Sequence, residues 1–176
     1  MKLCTFLSAA IFVFAAIAPV SAALAAPAEA TFAGRTPEQV DELLSRTEIN
    51  NLISDYYYVH DRKMADAVAD YVTDDMTWGV EGGKPIVGKE AYFEHFRYRT
   101  ANRFTRHLTT NVSVKFGDRD HATVTRIVIY YAAEHVFDRA RTIPWGLTEY
   151  VETVERGGDG KWRFSSRHVT PMFGPQ

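Results

Sequence analysis

Two clusters of turn-forming residues divide the second half of this chain, and they limit its fold more than any other feature. Gly117-Asp118-Arg119-Asp120 separates the runs 107–116 and 121–137, and Gly157-Gly158-Asp159-Gly160 separates 144–156 from 161–171. Runs of this length, rich in β-branched and aromatic residues and joined by Gly/Asp turns, predict two antiparallel hairpins. The first half reads differently. Thr36-Pro37-Glu38-Gln39 combines a capping box with proline at the first helical position, so a helix is predicted from there to about Asp61. A shorter helix is expected over 64–72, ended by Thr73-Asp74-Asp75, followed by a strand over 76–80. A turn at 81–85, a short return through Ile86-Val87 and a third helix over 89–99 complete the pattern. Helices first and a long meander after them give an α+β fold, with the helices lying on one face of a curved sheet.

The start of the chain is of another kind. Met1-Lys2, an apolar run from Leu3 to Val20 and the small residues around Ala22 to Ala25 read as a secretory signal peptide over 1–25. Residues 26–35 read as a linker, and 36–176 as a single domain. Export to the periplasm, or secretion, is expected. The only cysteine is Cys4, so cleavage would leave a protein without disulfides, thiol nucleophiles or thiolate metal ligands. A net charge of −2 gives no electrostatic case for nucleic acid as a partner. No membrane contact is expected once the signal is removed.

One residue breaks the first helix's pattern. Its apolar stripe runs Ile49, Leu52/Ile53, Tyr56/Tyr57, and the next inward positions hold His60 and Asp61. A carboxylate where a core residue belongs must be paired, protonated or functional. A helix-end aspartate bonded to local backbone, or paired with Arg62 or Lys63, is one reading. A partner in Arg106-His107, far along the chain, is the other. Strict alternation from residue 107 puts His107 with Thr109, Asn111, Ser113 and Lys115, opposite Leu108, Val112, Val114 and Phe116. On that pattern His107 lies on a polar face, either at the surface or at the mouth of a pocket.

Several segments together carry a family resemblance: 49–52, 58–63, Asp74 to Gly82, Gly88, 106–111 and 161–167. In these the chain resembles the nuclear-transport-factor-2-like cone fold. Within it, the chain is most similar to the SnoaL-like branch that holds scytalone dehydratase and hexachlorocyclohexane dehydrochlorinase. The resemblance implies a His–Asp dyad at His107 and Asp61, and an arginine on the last strand, Arg167, that helps a leaving group. It places Trp78 on the pocket wall. Where the dehydrochlorinase has a lysine in the first helix this chain has Tyr56, which favours a tyrosine-assisted dehydration over haloalkane chemistry.

Such a set suits cofactor-independent lyase or isomerase chemistry. A histidine accepts a proton from carbon and returns it, and a carboxylate fixes its tautomer. Tyr56, Tyr57, Tyr58 and Arg167 are the candidate donors to the departing oxygen, and Trp78 with the tyrosines would bind a small apolar or aromatic oxygenated molecule. No cofactor is expected. No HxH or HExxH spacing occurs, so no metal site is expected either. The same pocket could serve a non-catalytic binding protein, and a homo-oligomer is expected. Of the other histidines, His95 is assigned to packing and His121 to solvent, while His135 and His168 could face the pocket.

Overall fold

Helix α1 (Pro37–His60) starts at the predicted capping box, with Thr36 and Gln39 exchanging side-chain and backbone hydrogen bonds at 3.0 and 3.3 Å. The computed structural model describes residues 34–100, 103–133 and 143–174. The expected signal peptide, all but the end of the linker and His135 therefore lie outside the described residues. Among the described residues no helix is long and apolar enough to cross a membrane. The buried face of α1 is the stripe Ile49, Leu52, Ile53, Tyr56, Tyr57 and Val59, and its C-cap is Asp61. The chain continues through α2 (Ala65–Val68), a 3-10 turn (Ala69–Tyr71), β1 (Val72–Val80), β2 (Ile86–Val87) and α3 (Lys89–Thr100). Four long strands follow: β3 (Phe104–Phe116), β4 (His121–Ala133), β5 (Gly146–Arg156) and β6 (Trp162–Phe173).

The six strands form one mixed sheet in the order β2-β1-β6-β5-β4-β3. β3–β4 and β5–β6 are the two expected antiparallel hairpins, while β1 joins β6 in parallel. The helices cover the concave face. Met76, Val124, Val128, Val154 and Phe164 from the sheet meet Ile49 and Val68 from the helices in a core from which water is excluded. Burial of such side chains contributes roughly 1.5–3 kcal/mol each, which fixes α1 against the sheet.

Two local predictions need correction. The second helix is one turn long, and Thr73-Asp74-Asp75 belong to β1 rather than ending a helix. Val72 pairs with Phe164 and Thr77 with Ser166, so β1 bulges between them; Asp74 and Asp75 face solvent while Val72 and Met76 stay buried. The second correction concerns β3. Its register against β4 shifts between Thr110 and Ser113, and Asn111 sits at φ 53°, in the left-handed region that asparagine tolerates. This bulge swaps the two faces. Before it, Thr105, His107 and Thr109 turn inward and Leu108 is 52% exposed; after it, Val112, Val114 and Phe116 turn inward. His107 therefore shares the concave face with the core valines, not with Ser113 and Lys115.

Candidate functional site

The concave face holds a cavity of about 280 Å³ between α1, α3, β1 and strands β3 to β6. At one end Asp61 and His107 meet. Asp61 Oδ1 lies 2.6 Å from His107 Nδ1 and accepts the Thr105 hydroxyl at 2.9 Å, while Oδ2 accepts the His107 backbone N–H at 2.8 Å. Arg106 Nη1 donates to the Asp61 carbonyl at 2.9 Å. The carboxylate is thus bound across 46 residues of sequence, and the local alternatives fall away. Arg62 stacks on Tyr58 at 3.5 Å, and Lys63 Nζ lies 4.0 Å from the Phe104 ring.

The electrostatics follow from burial and these bonds. Burial acts to raise the Asp61 pKa, but the hydrogen bonds from His107 and His60 outweigh it and hold the group well below the usual carboxylate range. An ionised carboxylate only accepts, so the short contact requires His107 Nδ1 to carry the proton and leaves Nε2 with a free lone pair. Burial lowers the His107 pKa below its ordinary 6.5, against the opposing pull of Asp61. Rings fix the imidazole in place: Tyr57 stacks on it at 4.5 Å and 13°, and Tyr130 lies beyond at 5.8 Å and 20°. Gly146 makes room for that arrangement, because a Cβ there would stand 2.8 Å from Tyr130 Cε1.

At the cavity floor lies a second polar cluster. Arg167 on β6 donates through Nε to Glu152 Oε1 at 2.7 Å, through Nη1 to the Tyr92 hydroxyl at 3.2 Å and through Nη2 to the Tyr57 hydroxyl at 3.3 Å. Arg126 holds the same carboxylate through Nε and Nη2 at 2.7 and 2.8 Å. Tyr56 hydrogen-bonds Tyr92. Burial acts to raise the Glu152 pKa, yet the two guanidinium groups prevail and keep it low, so the carboxylate is ionised.

The cavity thus brings together His107, Arg167, Tyr56, Tyr57 and Trp78, which packs on His95 at 4.7 Å, while Asp61 joins the site through its bond to His107. Tyr58 is the exception. It is 55% exposed and turned out of the cavity, so its expected substrate contact is withdrawn; it stands one helical step past Tyr57, off the buried stripe. His168 is likewise exposed, whereas Tyr130 borders the cavity. Arg126, Glu152, Tyr92 and Thr105 were not singled out from the sequence. Arg126 and Glu152 carried a signal, since each interrupts an alternating buried row: Val124, Arg126, Val128 and Tyr150, Glu152, Val154.

A grouping that spacing did not show is His60, Asp61 and His107, whose donor atoms all lie within 4.8 Å of one another. A cation held there would compete for Asp61 oxygens that now accept hydrogen bonds from Thr105 and His107.

A SnoaL-like domain matches residues 41–168. The chain belongs to the SnoaL-like family. Solved structures place its SnoaL-like domain in the cystatin-like, nuclear-transport-factor-2-like fold. A putative scytalone dehydratase from Novosphingobium aromaticivorans is 21% identical with a TM-score of 0.66, covering 77% of this chain and 89% of its own. LinA is 23% identical with a TM-score of 0.64, covering 79% and 94%. A Catenulispora acidiphila protein in complex with S-DNPA is 16% identical with a TM-score of 0.63, covering 73% and 94%. No curated protein matches the SnoaL-like sequence.

Proposed function

We propose that this SnoaL-like protein is a cofactor-independent lyase or isomerase of the dehydratase type, acting on a small apolar or aromatic oxygenated molecule. One observation carries the reading: His107 Nδ1 stands 2.6 Å from Asp61 in a cavity walled by aromatic rings, with Arg167 and Tyr57 also lining it. His107 Nε2 takes a proton from the carbon next to a carbonyl, and the bonding pair moves to the carbonyl oxygen as an enolate. Asp61 stabilises the imidazolium that forms. A tyrosine of α1, hydrogen-bonded to Arg167, meets the negative oxygen. The enolate then expels a β-hydroxyl, which takes the proton back from His107 and departs as water; return of the proton to another carbon gives the isomerase outcome. The scytalone dehydratase-like and LinA neighbours support this choice of reaction class. The signal-like character of residues 1–25 supports a periplasmic or secreted setting for this reading.

Incubation of the protein in D2O with a panel of small β-hydroxy ketones and hydroxylated aromatic ketones tests it. Deuterium wash-in at the carbon beside the carbonyl, with appearance of the unsaturated product, is expected for the unaltered protein. Asp61→Asn should fold and lose about a hundredfold or more of that rate, because the imidazole loses the partner that fixes its tautomer. Full activity in Asp61→Asn would sink the dyad. Ligand binding without exchange in any compound would make the cavity a carrier site instead.

A further inference from the structure

The Tyr57 hydroxyl is held between two guanidinium groups. Arg126 Nη2 and Arg167 Nη2 each donate to its oxygen at 3.3 Å. A phenolic oxygen offers two acceptor positions and one proton, so these bonds fill its acceptor capacity and leave it only a donor. The surrounding groups are committed to one another. Glu152 receives three charge-assisted bonds from the two arginines, Arg126 Nη1 donates to Thr109 Oγ1 at 3.0 Å, and Arg167 Nη1 is bound to Tyr92. Two guanidinium groups against one carboxylate leave this buried cluster with one positive charge in excess; it reaches the cavity wall at Arg167, Tyr92 and Tyr57, and Tyr57 is the member stacked on His107.

That arrangement selects a ligand. Arg167 has its Nε on Glu152 and each terminal nitrogen on a tyrosine, so three of its five N–H groups are already committed to protein partners. A single oxygen acceptor, negative and attached to a flat ring, fits a lone polarised O–H in a cavity of about 280 Å³ walled by aromatic rings. We propose that Tyr57 donates the hydrogen bond to the ligand oxygen that becomes negative, that Arg126, Arg167 and Glu152 act through it, and that the cavity therefore binds a phenolate or enolate in preference to its neutral form. Tyr57 is the group in contact with the oxygen; Arg126 and Glu152 are positioning residues. The inference rests on the cavity being the ligand site and names the oxyanion class that the site takes.

Titration of the full chain with 4-nitrophenol tests this, because its ionised form has its own visible absorption band. At a pH where the free probe is mostly neutral, the band of the phenolate should appear on binding. Tyr57→Phe keeps the ring that stacks on His107 and removes the O–H; phenolate affinity should fall on the order of tenfold or more, the loss of one hydrogen bond to a charged acceptor. Arg126→Gln leaves Glu152 paired with Arg167 and should raise the pH at which the bound probe ionises, a spectroscopic shift that a packing defect would not produce. If Arg126→Gln does not fold, Tyr57→Phe decides alone. A probe that stays neutral when bound, that does not bind, or that binds Tyr57→Phe as tightly overturns the proposal. No proton leaves carbon in this titration, so its failure leaves the Asp61–His107 reading standing, and failure of deuterium exchange leaves the phenolate site standing.

Discussion

The Asp61 carboxylate holds His107 at two points, accepting the ring Nδ1–H at 2.6 Å and the backbone N–H at 2.8 Å. One contact sets the tautomer and the other ties the carboxylate to the strand that carries the imidazole. The rest of the site can be placed relative to this pair. Tyr57 stacks on the same imidazole, and its hydroxyl leads to the Arg126–Glu152–Arg167 cluster. In the proposed reaction the negative Asp61 stands beside the imidazole that becomes a cation, and the positive cluster backs the tyrosine that meets the anion.

Activity should rise with pH through a point below 6.5. Burial favours the neutral imidazole of His107, with the Asp61 bonds opposing it, and only the neutral ring can accept a proton. A pH–rate profile of deuterium wash-in checks this. A base titrating above 6.5 would mean that another group does the work.

Stability should fall as the solution is acidified between pH 6.5 and about 4. Burial pushes His60 down from 6.5 to about 4 despite its contact with Asp61 at 3.4 Å. Across that window the unfolded chain binds a proton that the native state resists, so native stability is full above 6.5 and lost as pH falls. The loss is on the order of 3 kcal/mol. Thermal melts should show a smaller drop over this range for His60→Gln than for the unaltered protein. Equal slopes would remove His60 as the cause. The low pKa of Asp61 adds its own loss at still more acid pH, where its bonds to His107 and Thr105 break.

The facing of His107 depends on Asn111. With φ at 53°, Asn111→Gly should be close to neutral, whereas Asn111→Val forces a β-branched residue into the left-handed region and should cost about 1–2 kcal/mol. Urea unfolding of both variants measures this. Equal stability would show that the bulge tolerates any side chain.

These residues also show where the sequence was readable. The 3.6-residue stripe of α1 is local, and it exposed Asp61 as an inward charge without any tertiary knowledge. Tyr58 could have been excluded on the same helical geometry, since it lies off that stripe. The two hairpins were legible because each turn cluster sits between long strand-forming runs. His107 was harder, because one extra residue at the Asn111 bulge inverts every parity argument across it. The extent of β1 was hidden likewise, as its bulge puts two aspartates in the middle of a strand. Arg126 and Glu152 follow period-two rows that mark them as buried, but which charges meet across β4, β5 and β6 depends on register, and register is set by the whole sheet.

The most direct test is the protonation state of His107 itself, read by long-range proton–nitrogen correlation on 15N-histidine-labelled protein near neutral pH. If Asp61 orients a base toward the cavity, His107 will be neutral, protonated at Nδ1 and bare at Nε2, and Asp61→Asn will disturb that tautomer. A proton on Nε2 in the unaltered protein, with Nδ1 bare, would leave no lone pair for the ligand and would contradict the proposed role.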